Sequence, residues 1–261
     1  MLRLAPHTRL AILAALAIVA AAILFGAFPI VRQDAAYHNF ADRRTILGIP
    51  NFWNVVTNLP FLAVAVWGLP ALASRAAFVE RWERAAYAIL LLGVALVAFG
   101  SGYYHSNPES ATLVWDRLPM TVVFMSLLAA TIGERTTMSA GKWLLLPLLA
   151  AGIGSVVWWV ASGDLRAYEL VQFFPVAALP LMLWLFPPRY SGTRGLWAMV
   201  GFYVLAKIVE FFDGRIATVL STGGHPWKHL AAASAMWCYV TTVAGRSEIR
   251  AGGLPPSARN V

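Results

Sequence analysis

The sequence predicts an all-α protein that lives in a lipid bilayer, and three observations carry that prediction. Hydrophobic residues fill 59% of the 261 positions and charged residues only 12%, with a mean hydropathy of +0.67. That leaves too little polar surface to coat a water-soluble globule of this size. The apolar residues also fall into eight runs, each of about 20 residues, the length a helix needs to cross a hydrocarbon core roughly 30 Å thick. The stretches between them are mostly short and hold turn or breaker residues, among them Asn107-Pro108, Pro187-Pro188 and Gly223-Gly224.

In chain order the expected spans are 10–28, 52–73, 85–104, 118–133, 143–161, 169–186, 196–215 and 227–244. The first could be a signal sequence or a signal anchor, since Arg3 and Arg9 precede an Ala/Leu/Ile run. Gly26-Ala27 leads into Phe28-Pro29 with no clear small-residue cleavage site, so the helix is expected to stay on the protein. The chain then divides into an N-terminal membrane helix at 1–30, a seven-helix core at 31–245 and a tail at 246–261. There is no sign of a second domain or a soluble insertion.

Basic residues in the short loops set the expected orientation. With a cytoplasmic N-terminus, that side collects Arg3, Arg9, Arg75, Arg81, Arg84, Arg135, Lys142, Arg189, Arg194, Arg246, Arg250 and Arg259. The other side holds chiefly Arg32, Arg43, Arg44, Arg166, Arg215 and Lys228. Both termini are then cytoplasmic in a multi-pass protein of the cell membrane. The net charge of +8 is explained by attraction to anionic headgroups. Nucleic acid is excluded as a partner, because the basic residues are scattered among loops and do not share one soluble face with aromatics. The single cysteine, Cys238, cannot form an intrachain disulfide.

Ionisable groups in apolar helices are expensive and tend to mark function. Of the five histidines, three sit at span ends: His105 closes the third span, and His225 and His229 open the eighth. Asp116 opens the fourth, and Ser101 lies one turn before His105. The topology brings all of them to the non-cytoplasmic side. His225 and His229 are four apart, so on a helix they share a face, a spacing suited to two imidazole ligands of one metal. A third imidazole from another helix leaves one position for water, as in catalytic zinc sites. Each residue also has a plainer reading: a histidine as an interfacial polar group, Asp116 as a carboxylate at a helix start, Ser101 bonded to the carbonyl four residues back. Taken together, they point to a metal site.

The string Ser101-Gly102-Tyr103-Tyr104-His105, the interval to Asp116, and His225-Pro226-Trp227-Lys228-His229 resemble the serine, aspartate and three-histidine signature of the alkaline ceramidases, within a superfamily that includes the adiponectin receptors. The stretch from Asn51 to Pro60 is similar to the segment that opens the first core helix in that family. The likeness runs from about Asp34 to about Tyr239 and implies a bacterial-type member with seven core helices. It implies that His105, His225 and His229 hold zinc. Asp116 would hold the attacking water, take its proton and deliver it to the leaving amine, while the Ser101 hydroxyl would stabilise the developing oxyanion. The activity implied is hydrolysis of the N-acyl bond of ceramide or a related membrane lipid, releasing a fatty acid and a sphingoid-type base.

In calcium-responsive ceramidases an acidic cluster precedes the first core helix and ends in a glutamate where this chain has Asn51. Asp34, Asn39 and Asp42 are the remaining candidates for a weak Ca2+ site, with Arg43 and Arg44 beside them, whereas such a cation wants several carboxylate or carbonyl oxygens. The stretch from Tyr37 to Asp42 could instead cap the site. In the seventh span, Lys207, Glu210 and Asp213 are spaced by three and are expected to share one helix face, either as a compensated ion cluster or with Glu210 or Asp213 in a proton or substrate-headgroup role. A seven-helix receptor with a structural zinc is the competing reading, but it would not need Asp116 and Ser101. A transporter would show matching broken halves, and haem needs no more than two axial ligands. The sequence leaves open which N-acyl lipid or ester is cut, and the oligomeric state.

Overall fold

The computed structural model describes residues 4–249, and all the regular elements among them are helical, apart from two isolated bridges. Arg3, Arg250, Arg259 and the expected tail beyond 249 lie outside the described residues. Ten α-helices follow in order: α1 (Pro6–Ala27), α2 (Phe52–Val56), α3 (Leu59–Gly68), α4 (Arg81–Ser106), α5 (Ser110–Arg135), α6 (Met138–Ser162), α7 (Arg166–Leu185), α8 (Thr193–Phe211), α9 (Asp213–Ala217) and α10 (His225–Gly245). Among the described residues six segments are long and apolar enough to cross a membrane: α1, Phe52–Ala73 and α4 to α7. The remaining two expected spans are α8, with 19 residues, and α10, with 21. They have membrane length but are less apolar, and they carry Lys207, Glu210, His225, Lys228 and His229.

Helix starts are set by caps that a count of apolar residues misses. α5 begins at Ser110, ahead of the expected 118, because Glu109 and Thr112 form a capping box that satisfies the free N–H groups of the first turn. Asp116 therefore sits in the second turn of its helix and does not open it. The expected span at 52–73 is broken: α2 ends at Val56 with Thr57 as its cap, Pro60 lies in the first turn of α3, and Leu69–Ala73 closes the span as a 3-10 turn. The break turns the buried Thr57 and Asn58 side chains inward.

In lipid no hydrophobic force drives helices together, so close packing has to supply the attraction. The tightest approach joins α4 and α5. Pro119 has no N–H for the carbonyl of Trp115, four residues back. Gly100 of α4 lies against that same carbonyl, in space a Cβ would occupy. The backbones meet there at the level of Ser101 and Asp116.

Two ends of the bundle can be told apart. At one end lie the C-terminus of α4 and the N-termini of α2, α5 and α10. At the other, the buried Arg246 pairs with Glu134 and Glu83, and the buried Arg135 donates to the Phe186 carbonyl at 3.2 Å and to Thr193 Oγ1 at 3.0 Å. α1 packs beside α7 with Leu13 as its buried residue. It is tied at the second end by Arg9, which donates to the Arg135 carbonyl at 3.0 Å. At the first end Arg166 donates to the Phe28 carbonyl at 3.0 Å.

Candidate metal centre and lipid cavity

His105, His225 and His229 converge at the first end. All three are buried, their ring centroids are 4.8 to 4.9 Å apart, and one ligand atom from each lies within 4.8 Å of the others. α10 begins at His225 itself, so the spacing of four does put His225 and His229 on one face. His105 Nδ1, His225 Nε2 and His229 Nε2 are buried and have no hydrogen-bond partner. Orphaned buried nitrogens are costly in a finished core. Three of them facing one another fit a site that a metal completes.

Hydrogen bonding fixes one tautomer. Thr57 Oγ1 donates its only proton to the Trp53 carbonyl at 2.6 Å, so at 2.9 Å from His229 Nδ1 it must accept. Nδ1 therefore carries the proton, and Nε2 keeps its lone pair for a ligand, the usual division in a metal-bound histidine. His225 is placed through its backbone. Asp213 Oδ1 accepts from the N–H groups of Gly224 at 2.7 Å and His225 at 2.8 Å, and its Oδ2 accepts from Ala41 N–H at 3.0 Å.

The chain between α1 and α2 crosses over the histidines. Leu165 N–H bonds the Val31 carbonyl at 2.8 Å, Arg117 donates to Gln33 at 2.7 Å, and His38 pairs with Tyr104 at 2.9 Å. Phe40 then lies on the centre, its ring 4.7 Å from that of His105 and 4.4 Å from that of His225. Burial, followed by the charge of Arg117, holds the His38 imidazole below its usual pKa. The expected cap over the site is thus present. Asn51, which takes a left-handed φ of 47° that asparagine tolerates better than most residues, donates to the His105 carbonyl at 2.9 Å.

The three candidate calcium ligands already have work within this strap. Asp34 caps its own 3-10 turn by accepting from Ala36 N–H at 2.8 Å. Asn39 Oδ1 accepts from Arg43 at 2.8 Å, and Asp42 Oδ1 is paired with Arg44 at 2.6 Å while its Oδ2 is buried without a partner.

Below the histidines a cavity runs into the bundle. His229, Asp116, Ser101, Asn58, Lys207, Glu210 and Lys228 form its polar end, and Val123, Phe124, Leu127, Leu179, Met199 and Met236 belong to its apolar wall. From Asp116 to Leu127 the wall descends eleven residues of α5, about 16 Å at 1.5 Å per residue. Ser101 and Asp116 are both buried, facing each other across the Gly100 contact. Of the aromatic side chains, Phe124 is in the wall, whereas Phe173 and Trp158 are about half exposed on the helix surface.

The seventh span departs from expectation. Lys207 does meet Glu210, at 2.8 Å, but the other Glu210 oxygen is bound by Lys228 of α10 at 2.6 Å. α8 ends at Phe211, which turns Asp213 away to the start of α10. Sequence reasoning does not place Thr57, Asn58, Asp213 or Lys228 at the metal centre. The cluster of Asn and Thr among the apolar residues of Asn51 to Pro60 is the available signal for the first two.

Fold and site together define a polytopic helical membrane protein with three buried histidines that could hold a metal ion at the mouth of a cavity with an apolar wall. The ceramidase family model matches residues 45–212, well over half of the chain, and the protein belongs to that family. Membership brings the family's activity, hydrolysis of ceramide, with a membrane lipid as substrate. The matched residues include Ser101, His105 and Asp116, and His225 and His229 are joined to them by the geometry above. No curated protein matches the chain closely enough to count as a relative.

Proposed function

We propose that the protein is a zinc-dependent amidohydrolase that cleaves the N-acyl bond of ceramide or a related lipid inside the membrane. The observation that carries this reading is the set of three buried, unpartnered imidazole nitrogens, one of them held unprotonated by Thr57. Three neutral imidazoles are the donor set of a catalytic zinc with one position left for water. When bound, such an ion supplies a water acidified towards a pKa of about 7 and a Lewis acid for the carbonyl.

The side chains do the rest. Asp116 holds the attacking water and takes its proton as the new C–O bond forms. It returns that proton to the nitrogen as the C–N bond breaks, so the products are a fatty acid and a free amine. Ser101 donates its hydroxyl proton to the carbonyl oxygen as negative charge builds there. The acyl chain lies along the apolar wall below Asp116. By the loop charges, both termini face the cytoplasm and the centre faces the opposite side, with 1–30 as an added membrane helix on a 31–245 catalytic core.

The test is metal analysis of the purified protein together with a lipid hydrolysis screen, repeated on His229→Ala and Asp116→Asn. Stoichiometric zinc, lost in His229→Ala, and turnover lost in Asp116→Asn are expected. A wild type without zinc ends this reading. Zinc without turnover, indifferent to Asp116→Asn, favours a receptor with a structural metal. Labelling of a single cysteine placed at Asn107 from the non-cytoplasmic side tests the orientation.

A further inference from the structure

We infer that Lys207, Glu210 and Lys228 form an anion-recognising subsite, and that the preferred substrate is an N-acyl lipid whose amine portion carries an anionic oxygen group. The inference rests on the hydrolase reading of the same cavity. All three side chains line its polar end beside Asp116 and His229. Glu210 is bound by both lysines, at 2.8 and 2.6 Å, and has no oxygen left to offer. Each ammonium group has three N–H donors, and Glu210 is the one hydrogen-bond acceptor that each lysine meets among the described residues. Lys207 also lies 5.4 Å from the Phe173 ring centroid. Lys228 is left with two N–H groups to direct into the cavity.

A second observation is independent of the lysines. Asn58 donates its amide N–H to the Asn54 carbonyl at 2.7 Å, which leaves Oδ1 as a buried acceptor with no partner on the cavity wall. The polar end thus offers cationic donors on one side and a neutral acceptor on the other. An N-acyl amide N–H for Asn58 and an anionic oxygen for the lysines satisfy both. A ligand bearing only hydroxyl groups can meet the remaining lysine N–H donors but adds no negative charge to the one carboxylate, Glu210, that the two ammonium groups already share.

The charge count points the same way. Two lysines against Glu210 and an ionised Asp116 sum to zero, and a divalent cation on the histidines makes the site positive. In low-dielectric surroundings that excess favours an anionic ligand more strongly than it would in water. The plainer role for the cluster is to clamp α8 to α10. The two roles differ in sign on removal of Glu210: a clamp is weakened by Glu210→Gln just as it is by Lys207→Met, whereas an anion subsite becomes more cationic and more selective.

The experiment compares two matched pairs of lipids in vesicles, ceramide against the same ceramide phosphorylated on its primary hydroxyl, and N-palmitoylethanolamine against N-palmitoylglycine. For the wild type, kcat/KM for the anionic member exceeds that for the neutral member by about tenfold or more in at least one pair, the scale of a charge-assisted contact. Lys207→Met lowers the ratio through KM, Lys207→Arg keeps it, and Glu210→Gln raises it. Equal or reversed preference in both pairs, or a ratio that Lys207→Met leaves unchanged, overturns the inference while the hydrolase reading stands. Equilibrium binding of the same lipids to Asp116→Asn, with and without Lys207→Met, separates the two failures. If no lipid is turned over but the anionic member binds tighter in a Lys207-dependent way, the subsite survives and the hydrolase reading falls. If binding shows no such preference either, the subsite falls with it.

Discussion

Thr57→Val is the sharpest probe of the metal centre, because it changes no ligand. Valine keeps the branched shape of threonine in a buried position and removes a single oxygen. That oxygen gives its proton to the Trp53 carbonyl and accepts one from His229 Nδ1. Without it, the Nδ1 proton faces an apolar group, and the ring relieves the cost by moving the proton to Nε2, the atom needed for the metal. Loss of a partner to a ligating imidazole typically lowers metal affinity by about 10- to 100-fold, which is about 1.4 to 2.8 kcal/mol. The assay is competition for zinc between the purified protein and a chromophoric chelator, with Thr57→Ser as the variant that restores the acceptor. Valine binding zinc as tightly as wild type, while His229→Ala loses it, would refute the tautomer argument.

Three further outcomes follow from packing and charge. Gly100→Ala puts a Cβ against the Trp115 carbonyl. It should destabilise the protein by about 1–3 kcal/mol and lower turnover by parting Ser101 from Asp116, measured by thermal unfolding and by activity on the surviving protein. Arg246→Met leaves Glu83 and Glu134 buried without their cation, at a cost of about 3–5 kcal/mol read as a lower unfolding temperature; an unchanged temperature counts against the pairing. In the loop before α7, hydrogen bonds from Arg166 draw the Asp164 carboxyl down to about 2. The folded state thus binds this proton less readily than the unfolded chain, so the contribution is complete above the ordinary carboxylate pKa of 3.8 and is lost as pH falls towards 2. Wild type and Asp164→Asn should accordingly differ in stability at neutral pH and converge in acid.

The candidate site is legible in the sequence where chemistry is rare and hidden where tertiary contact assigns the role. His105, His225 and His229 stand out because a histidine in an apolar run has to be accounted for, and the spacing of four by itself implies a shared helix face. Asp116 is equally conspicuous, but apolar periodicity puts it at a helix start, because the capping residues Glu109 and Thr112 are invisible to a count of apolar residues. The break at Thr57 and Asn58 is hidden for a related reason: 52–73 is apolar enough on average to read as one span, and Pro60 with the Asn and Thr residues just before it is the local mark of where it divides. Asp213 is the plainest departure. A spacing of three from Glu210 predicts a shared face only if the helix continues, and α8 ends at Phe211. Its contacts instead reach Ala41, 172 positions earlier in the chain, and the start of α10, partners that no local pattern announces.

The two ends of the bundle show why polar burial alone does not identify a functional centre. At the end away from the histidines the buried acids have partners. Glu83 accepts from Tyr190 at 2.7 Å and from the N–H groups of Val79 and Glu80 at 3.0 and 2.9 Å. Arg246 binds Glu134, donates to the Ala77 carbonyl at 2.8 Å and lies 4.0 Å from the centre of the Tyr190 ring. Such a network joins the ends of α4, α5 and α10 and needs nothing from outside. At the histidine end three ring nitrogens are buried with no partner, as are Asn58 Oδ1, Asn54 Oδ1 and Asp42 Oδ2. Leaving such groups unmade costs about 1–3 kcal/mol each, and nothing in the packing recovers that cost. The far end also has unpartnered buried atoms, Arg135 Nε and Trp82 Nε1, but these are N–H donors, whereas the three histidines bring ligand atoms within 4.8 Å of one another. Under the proposed function, that grouping of unpaired nitrogens, more than the number of charges, puts the chemistry beside His229 and leaves Arg246 a structural clamp.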